Sequence, residues 1–175
     1  MTTTKLSNDV LSIEIQDFGA ELHSIKKDDV EYLWQGDPDF WARQAPVLFP
    51  IVGKLKNGSY TYDNETFKLG GHGFARDQVF KLLESEANEA IFELRTSRET
   101  RAVYPFDFRL RITYKLIGNQ LTVKWEVKNL DDQEMYFGIG AHPAFNVPLE
   151  NGTFEDYRLT ISPAKSRQYI PLNPA

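Results

Sequence analysis

The stretch Phe106–Leu130, FDFRLRITYKLIGNQLTVKWEVKNL, decides the fold class because it predicts one long β-hairpin. Its central Gly118-Asn119 pair is suited to a tight two-residue turn. With that turn, apolar residues face each other on one side of the hairpin: Leu116 and Leu121, Tyr114 and Val123, Ile112 and Trp125, Leu110 and Val127. Polar residues, such as Arg111 and Glu126, pair on the other side. A shift of one residue would destroy this agreement, so the pattern predicts the register as well as the strands.

Most of the remaining chain shows the alternating period of β-strands. Further strands are predicted at Val10–Gln16, Ala20–Lys26, Glu31–Trp34, Val79–Glu84, Ala90–Thr96, Glu134–Gly140, Tyr157–Ser162 and Arg167–Pro171. A second hairpin over Ser59–Leu69 turns at Asp63-Asn64, which places Tyr60 opposite Phe67. One short helix is predicted over Ser97–Val103. Many antiparallel strands with almost no helix predict a single all-β domain over residues 1–175, a sandwich or a barrel.

Composition narrows the class of protein. The chain has 175 residues, of which 41% are hydrophobic and 26% charged, and its formal net charge is −5. Without a basic run, nucleic acid is not an expected partner. The absence of cysteine excludes disulfides, thiolate metal sites and a cysteine nucleophile. No stretch approaches the roughly 20 apolar residues of a membrane span, so we expect a cytoplasmic protein with no membrane partner.

The last residues carry an expectation about completeness. The segment after Ser162 begins a strand at Arg167 and stops soon after it. Because a large β-sandwich needs more chain than this, we expect the sequence to be an N-terminal portion of such a domain. An open sheet edge would then remain, and a homodimer formed through that edge is one expected arrangement.

Two of the three histidines lie where they can face a cavity. His72 lies between glycines in Gly70–Arg76, GGHGFAR, and His142 lies at a predicted strand end, before Pro143. Glycine leaves its neighbour open to close approach, and proline ends the ladder of backbone hydrogen bonds. Imidazole can donate or accept a proton near neutral pH. The pattern leaves two interpretations: a shared site, or two unrelated structural histidines. The third, His23, is interpreted as an exposed strand residue.

Two cations and several aromatic residues are further candidates. Lys54 follows the apolar run of PVLFPIVGKL at the expected rim of a pocket, and the guanidinium of Arg76 suits hydroxyl, carboxylate or phosphate groups. Each is otherwise a solvated surface charge. Three aromatic residues suit either stacking on a sugar ring or the core: Trp34, Trp41 and Phe74. No metal-like cluster of His, Asp and Glu, no Gly-x-Ser-x-Gly elbow and no nucleotide-binding glycine motif is present, so no metal is expected.

Three segments together resemble the aldose 1-epimerase family, also called galactose mutarotases. These are PVLFPIVGKLKNGSY, GGHGFAR and GAHPAFNVP, in that order, and the opening LSIEIQDFGAELHSIKKDDVEYLWQGDPDFW is similar as well. The HGFAR form is closest to the branch that includes hexose-6-phosphate mutarotases and proteins of lactose operons. The resemblance covers essentially the whole chain. It implies an antiparallel β-supersandwich and interconversion of the α and β anomers of a hexose or hexose phosphate, without metal or organic cofactor.

The resemblance also implies roles for particular residues. His142 would give a proton to the ring oxygen as the C1–O5 bond opens, and His72 would hydrogen-bond the same region of the sugar. Arg76 would hold a hydroxyl or phosphate group, and Lys54 and Phe74 would also contact the substrate. Many relatives have arginine where this chain has Lys54, which puts substrate grip or choice in doubt.

A second departure concerns the catalytic base. In the family, a glutamate in the C-terminal part of the chain takes the proton from the anomeric hydroxyl. No glutamate of this chain stands in that motif, and none of Glu126, Glu134, Glu150 and Glu155 is assigned the role. Three hypotheses therefore stay open: an aldose 1-epimerase-like enzyme impaired in this short chain, a non-catalytic carbohydrate-binding or regulatory module, and a plain β-sandwich interaction domain.

Overall fold

The computed structural model describes residues 1–160 and residue 162. It contains twelve strands: β1 (Thr3–Ser7), β2 (Ser12–Gln16), β3 (Leu22–Lys27), β4 (Val30–Glu31), β5 (Val47–Leu48), β6 (Ser59–Tyr62), β7 (Glu65–Lys68), β8 (Lys81–Ser85), β9 (Glu89–Arg95), β10 (Phe108–Ile117), β11 (Gln120–Asn129) and β12 (Gly140–Ala141). One α-helix, α1 (Arg98–Val103), and single 3₁₀ turns at Lys56–Gly58, Ala75–Asp77 and Phe154–Asp156 complete the described elements. The predicted strand at Arg167–Pro171 lies outside the described residues.

Two four-stranded antiparallel sheets form the body of the fold. Their strand orders are β1-β2-β3-β4 and β11-β10-β9-β8. Two small two-stranded sheets, β5 with β12 and β6 with β7, complete the architecture. The prediction of an all-β antiparallel sandwich with almost no helix is confirmed.

The hairpin of β10 and β11 has the predicted register. Leu116 lies opposite Leu121, and the pairing continues without a bulge to Phe108 opposite Asn129. Gly118 takes the positive φ of 55° that the first turn position requires. The alternation is strict in β10, whose apolar residues are buried: Phe108, Leu110, Ile112, Tyr114 and Leu116. The hairpin of β6 and β7 also pairs as predicted, with Tyr60 opposite Phe67.

The core lies between the two large sheets. Ile13 and Ile15 of the first sheet are 1% and 0% exposed, and they belong to the same buried cluster as Phe92 and Ile112 of the second. The buried hydroxyl of Tyr114 donates a hydrogen bond of 2.7 Å to the carbonyl of Ala20, which ties the sheets together. Twenty-one buried apolar residues make one cluster, so the two sheets share one hydrophobic core within the described residues.

Helix α1 begins where a capping residue allows it. The Ser97 hydroxyl accepts from the Thr100 amide at 3.2 Å, and the Thr100 hydroxyl accepts from the Ser97 amide at 2.9 Å. These reciprocal bonds satisfy donors that a helix start otherwise leaves free. The predicted helix at Ser97–Val103 is therefore confirmed, with Ser97 as its cap.

Two strand predictions are wrong, and the strands β1 and β5 were not predicted. Of Glu134–Gly140, only Gly140 is in a strand; before it, the Gly138 amide donates to the Pro50 carbonyl at 2.8 Å instead of joining a ladder. The described residues 157–160 form no strand. Strand β1 was missed because TTKLS has one buried apolar residue, Leu6, and pairing with β2 rather than alternation defines it.

Candidate functional site

Strand β5 and the residue after it bring two distant segments together. β5 pairs with β12, with Ala141 opposite Val47, so His142 directly follows the end of that short ladder. Phe49, the residue after β5, forms a parallel bridge with Gly73, the residue after His72. The backbone next to each histidine therefore pairs with one short segment, Val47–Pro50, whose sequence is VLFP.

Gly73 is required at its position by a close backbone approach. Its φ is +71°, and a Cβ atom added there would lie 2.2 Å from the carbonyl oxygen of Phe49. That carbonyl accepts hydrogen bonds from the amides of Phe74 and Ala75 at 3.0 and 3.1 Å. Only glycine fits this geometry without displacing the backbone, so the sequence order His-Gly has a structural cause.

The backbone of Gly53 fixes the imidazole of His72. The His72 amide donates to the Gly53 carbonyl at 2.7 Å, and the Gly53 amide donates to His72 Nδ1 at 3.1 Å. Because Nδ1 accepts, the neutral ring carries its proton on Nε2. His72 itself has a φ of +66°, a conformation that a non-glycine residue rarely adopts. A hydrogen-bond donor, Nε2–H, is thus left for another group.

The two imidazole rings lie close together, as the shared-site interpretation of the sequence requires. The ring centroids of His72 and His142 lie 5.8 Å apart, with an interplanar angle of 76°. His142 is exposed and also packs against the indole of Trp41, with centroids 5.0 Å apart and an angle of 39°. His72, His142 and Trp41 form what we call the histidine site.

The charge state of His72 follows from its surroundings. Burial lowers the pKa of His72, and the positive charge of Arg76 and the neighbouring His142 lower it further. Each of these effects disfavours the charged imidazolium form of His72. His72 is thereby kept neutral, in the tautomer that donates from Nε2.

Arg76 lies beside the histidine site on the 3₁₀ turn Ala75–Asp77. Its Nη2 donates to the carbonyl of Gly71 at 2.9 Å, and its Nε lies 3.7 Å from a carboxylate oxygen of Asp77. Within the described part of the chain, Nε is buried without a hydrogen-bond partner. Its positive charge is close enough to act on the imidazole of His72.

Sequence reasoning missed Glu21 and Arg43, which hold this region in place. Buried Glu21 accepts from the amides of Gln44 and Ala45 at 2.9 and 3.0 Å, just before β5. Arg43 contacts the Asp77 carboxylate and donates to the carbonyl of Arg76 at 3.3 Å. No local pattern marks this role, because the contacts join segments far apart in the sequence.

The other predicted residues lie around the site in different settings. Lys54 is exposed, follows Gly53 directly, and forms no ion pair among the described residues. Phe74 is half-buried, and its ring lies 6.2, 6.1 and 5.9 Å from those of Phe49, Tyr104 and Phe108. This packing accounts for the position of Phe74 without a sugar, and its substrate contact stays a prediction.

His23 lies apart from the pair, in β3. It is half-buried, and burial lowers its pKa although Glu21 and Glu14 act in the opposite direction. The polar cleft beside it is lined by groups such as Glu14, Lys26 and Gln35, and by neither of the other histidines.

Among the described residues, no carboxylate is bonded to the histidine site, and the cavity of about 520 Å³ lies elsewhere. Within the described residues, no carboxylate is hydrogen-bonded to His72 or His142, and no three of His, Asp and Glu gather as a metal would require. A cavity of about 520 Å³ lies beyond Pro50 and Ile51 and contains neither histidine; it is lined largely by aromatic rings: Tyr60, Tyr62, Tyr104, Phe106, Tyr136 and Phe137. In the described part of the chain, no helix has the length and apolar character needed to cross a membrane.

Comparison with known proteins agrees with the fold and the motifs. The chain is 40% identical over 172 residues to the plasmid-encoded protein LacX of Lactococcus lactis subsp. lactis, covering 94% of this chain and 58% of that protein. The chromosomal LacX is 41% identical over the same length. The chain thus spans little more than half the length of these curated relatives.

Solved structures give the same result. A galactose mutarotase related enzyme from Lactobacillus acidophilus superposes with a TM-score of 0.84 at 44% identity, covering 86% of this chain and 51% of that one. A galactose mutarotase-like protein from Lactobacillus casei has a TM-score of 0.81 at 37% identity, covering 83% and 50%. The family model for aldose 1-epimerase matches residues 2–174. With a family match over nearly its full length, this chain belongs to the aldose 1-epimerase family.

Proposed function

We propose that this protein is an aldose 1-epimerase-like protein that binds a hexose or hexose phosphate and contributes to interconversion of its α and β anomers. The observation that carries the proposal is the convergence of His72 and His142, whose ring centroids lie 5.8 Å apart. Two imidazoles at that separation can both reach polar atoms of one pyranose ring. The proposed setting is the cytoplasm, where a chain without cysteine needs no oxidising environment.

In the proposed reaction, His142 acts as the acid. It donates a proton to the ring oxygen while the C1–O5 bond breaks and the anomeric hydroxyl loses its proton to a base, which leaves an open-chain aldehyde. Rotation about the C1–C2 bond presents the other face of the carbonyl, and the same proton transfers in reverse close the ring. Positioned proton transfer of this kind contributes roughly 10²–10⁴ in rate.

His72 has a complementary role. Because its Nδ1 accepts from the Gly53 amide, Nε2–H is the group that faces a ligand. Burial and the charge of Arg76 lower the pKa of His72, so it donates a hydrogen bond as a neutral ring. We assign it to hold the sugar oxygen region near His142 and to polarise it.

Arg76 and Lys54 are proposed to bind polar or charged groups of the substrate. The Arg76 side chain is 23% exposed, and its planar guanidinium suits a hydroxyl or phosphate oxygen. Lys54 follows the glycine that holds His72, and its exposed ammonium suits a negative group at the rim. Phe74 is proposed to contact the ligand with the part of its side chain that packing leaves exposed.

A non-catalytic sugar-binding module is the second candidate, and one observation favours it. The described hydrogen bonds place no carboxylate on either imidazole, so no described residue is assigned as the base. The chain spans 58% of the length of LacX, and binding requires fewer of the family's groups than turnover does.

Polarimetry of freshly dissolved α-D-glucose and α-D-galactose tests the enzyme proposal. We expect faster equilibration with the chain than with buffer, and loss of that enhancement in His142→Ala. His23→Ala is the matched control, since His23 lies in β3, away from the pair. Unchanged acceleration in His142→Ala would refute the assigned acid.

Binding separates the two candidates. Imidazole NMR signals of His72 and His142 are followed while hexose or hexose 6-phosphate is added. Shifts without faster equilibration favour the binding module. If neither sugar moves either signal, both proposals are wrong and only the fold assignment stands.

A further inference from the structure

Strand β11 is an edge whose apolar side chains are only partly covered. It is the outermost strand of its sheet in the described residues, paired with β10 alone. Val123 is 37% exposed and Leu121, Trp125 and Val127 are half-buried, whereas their partners in β10 are all buried. An edge of ten residues with an apolar inner face is a surface on which another strand can pair.

The described residues leave a gap in the sandwich along this edge. A cleft of about 160 Å³ lies there, and Val123 and Trp125 of β11 line it together with Val47, Ala141 and Pro143. Ala141 and Pro143 flank His142 in the sequence. A strand added beside β11 would therefore cover the opening next to the histidine site.

We propose that the occupant is β11 of a second copy of this chain, paired antiparallel about a two-fold axis. Ile117 and Gln120 flank the two-residue turn, and in such hairpins the flanking pair exchanges both backbone hydrogen bonds. The bonding groups of even-numbered residues of β11 therefore face β10, and those of odd-numbered residues face outward. Self-pairing must match odd-numbered residues with odd-numbered residues.

One register makes β11 complementary to itself. With Trp125 on the axis, Lys124 lies opposite Glu126 twice by symmetry, and Val123 lies opposite Val127 twice. Opposite charges and apolar residues facing each other are favourable cross-strand pairs, and like charges are not. With this axis, opposite charges pair on one face of the extended sheet and apolar residues pair on the other.

Neighbouring registers bring like charges together. Moving the axis to Lys124 places the two Lys124 side chains opposite each other. Moving it to Glu126 opposes the two Glu126 carboxylates and places Lys124 opposite Lys128. Larger shifts leave fewer residues of β11 paired. The charge pattern therefore favours the Trp125-centred register.

The pairing would extend the sheet from four strands to eight. The second copy's strand would lie about 4.8 Å from β11, and its inward-facing apolar residues would cover the cleft beside His142. The inference rests on the sheet edge and not on the proposed function, because its test measures association alone.

Charge-reversal substitutions test both the dimer and its register. Sedimentation equilibrium of the full chain is expected to show a dimer. Lys124→Glu and Glu126→Lys each place like charges opposite each other twice, so each should raise the dimer Kd about tenfold or more. Mixing the two variants makes both cross-strand pairs opposite again, and a heterodimer is expected to re-form. Circular dichroism checks that each variant keeps its strands.

A second variant acts through the backbone. Val123→Pro removes an outward-facing amide and no hydrogen bond to β10, so it should leave a folded monomer. A wild-type monomer at all accessible concentrations would overturn the proposal, including the case in which residues after 162 cover β11. So would dimerisation that persists unchanged in both charge variants, or failure of the folded variants to associate when mixed.

Discussion

The rings of His72 and His142 lie 5.8 Å apart because Phe49 and Val47, on one short segment, pair with the chain next to each of them. This relationship has a consequence for each ring. His72 is fixed by the Gly53 backbone and half-buried, whereas His142 is exposed beside Trp41. Two chemically identical side chains thus differ in hydrogen bonding and exposure at one site.

Replacing Arg76 is expected to raise the pKa of His72. Arg76→Gln removes one of the charges that lower this pKa, and Arg76→Lys keeps a positive charge as the control. NMR titration of the histidine Cε1 protons measures both. His23 should titrate unchanged, since burial and two carboxylates determine its pKa. An equal His72 pKa in wild type and Arg76→Gln would show that Arg76 is not the cause.

The same shift predicts how stability depends on pH. The pKa of His72 in the folded protein is lowered, so below about 6.5 the unfolded chain binds the proton more readily. The stabilising contribution is fully present above that pH and is lost as the pH falls from there through the lowered pKa of the folded state. Urea unfolding between neutral and mildly acidic pH should show a smaller decline in His72→Asn than in wild type.

Gly73→Ala is expected to destabilise the fold strongly. The new Cβ would lie 2.2 Å from the Phe49 carbonyl oxygen, and the residue would keep a φ of +71°. Gly118→Ala is the matched control, because its φ is +55° and no atom lies within 4 Å of the added Cβ. The control should cost only the backbone term of about 1–2 kcal/mol. Equal unfolding free energies in the two variants would contradict the close-approach argument.

Glu21→Ala should lower the free energy of unfolding by about 2–3 kcal/mol, because it removes a buried carboxylate and leaves the partly buried amides of Gln44 and Ala45 unpaired. Glu14→Ala removes the exposed ion pair with Lys5 and should cost about 0.5 kcal/mol or less. Chemical denaturation measures both. A Glu21→Ala cost no larger than that of Glu14→Ala would mean that the amides find other partners.

Tyr114→Phe removes one hydroxyl at the contact between the sheets. Its hydrogen bond to the Ala20 carbonyl is buried and 2.7 Å long, so the loss is expected to cost about 1 kcal/mol. Burial raises the pKa of Tyr114 well above its usual range. Burial also raises the pKa of Tyr60 and Tyr104, so an ultraviolet titration at alkaline pH should show fewer tyrosinates in the wild-type fold than in the unfolded chain.

Local patterns predicted the hairpins because all the information they need is nearby. In β10 and β11, the turn residues and the alternation point to the same register, and the structure has that register. Asp63 and Asn64 likewise take the positive φ values of 48° and 62° that their predicted turn requires. The helix start at Ser97 is also a local effect, since its cap reaches only three residues along the chain.

Long-range contacts explain what sequence reasoning could not predict. Glu134–Gly140 alternates like a strand, but the Gly138 amide donates to the Pro50 carbonyl instead. Only Gly140–Ala141 pairs with another strand. Glu21 and Arg43 position the site through contacts more than twenty residues away, which no local period records. Nor does any local pattern record that pairing with Val47 and Phe49 brings His72 and His142 within 5.8 Å of each other.

Because a single short segment at Val47–Phe49 supports both imidazoles, its release would disable them simultaneously. A partial opening there frees the amides of Phe74 and Ala75 along with the Gly140–Ala141 ladder, while the long hairpin can remain intact. Heating should then abolish ligand recognition in one step, below the temperature at which the large sheets melt, with no half-competent intermediate. Hydrogen exchange at those two amides would record that sub-global event.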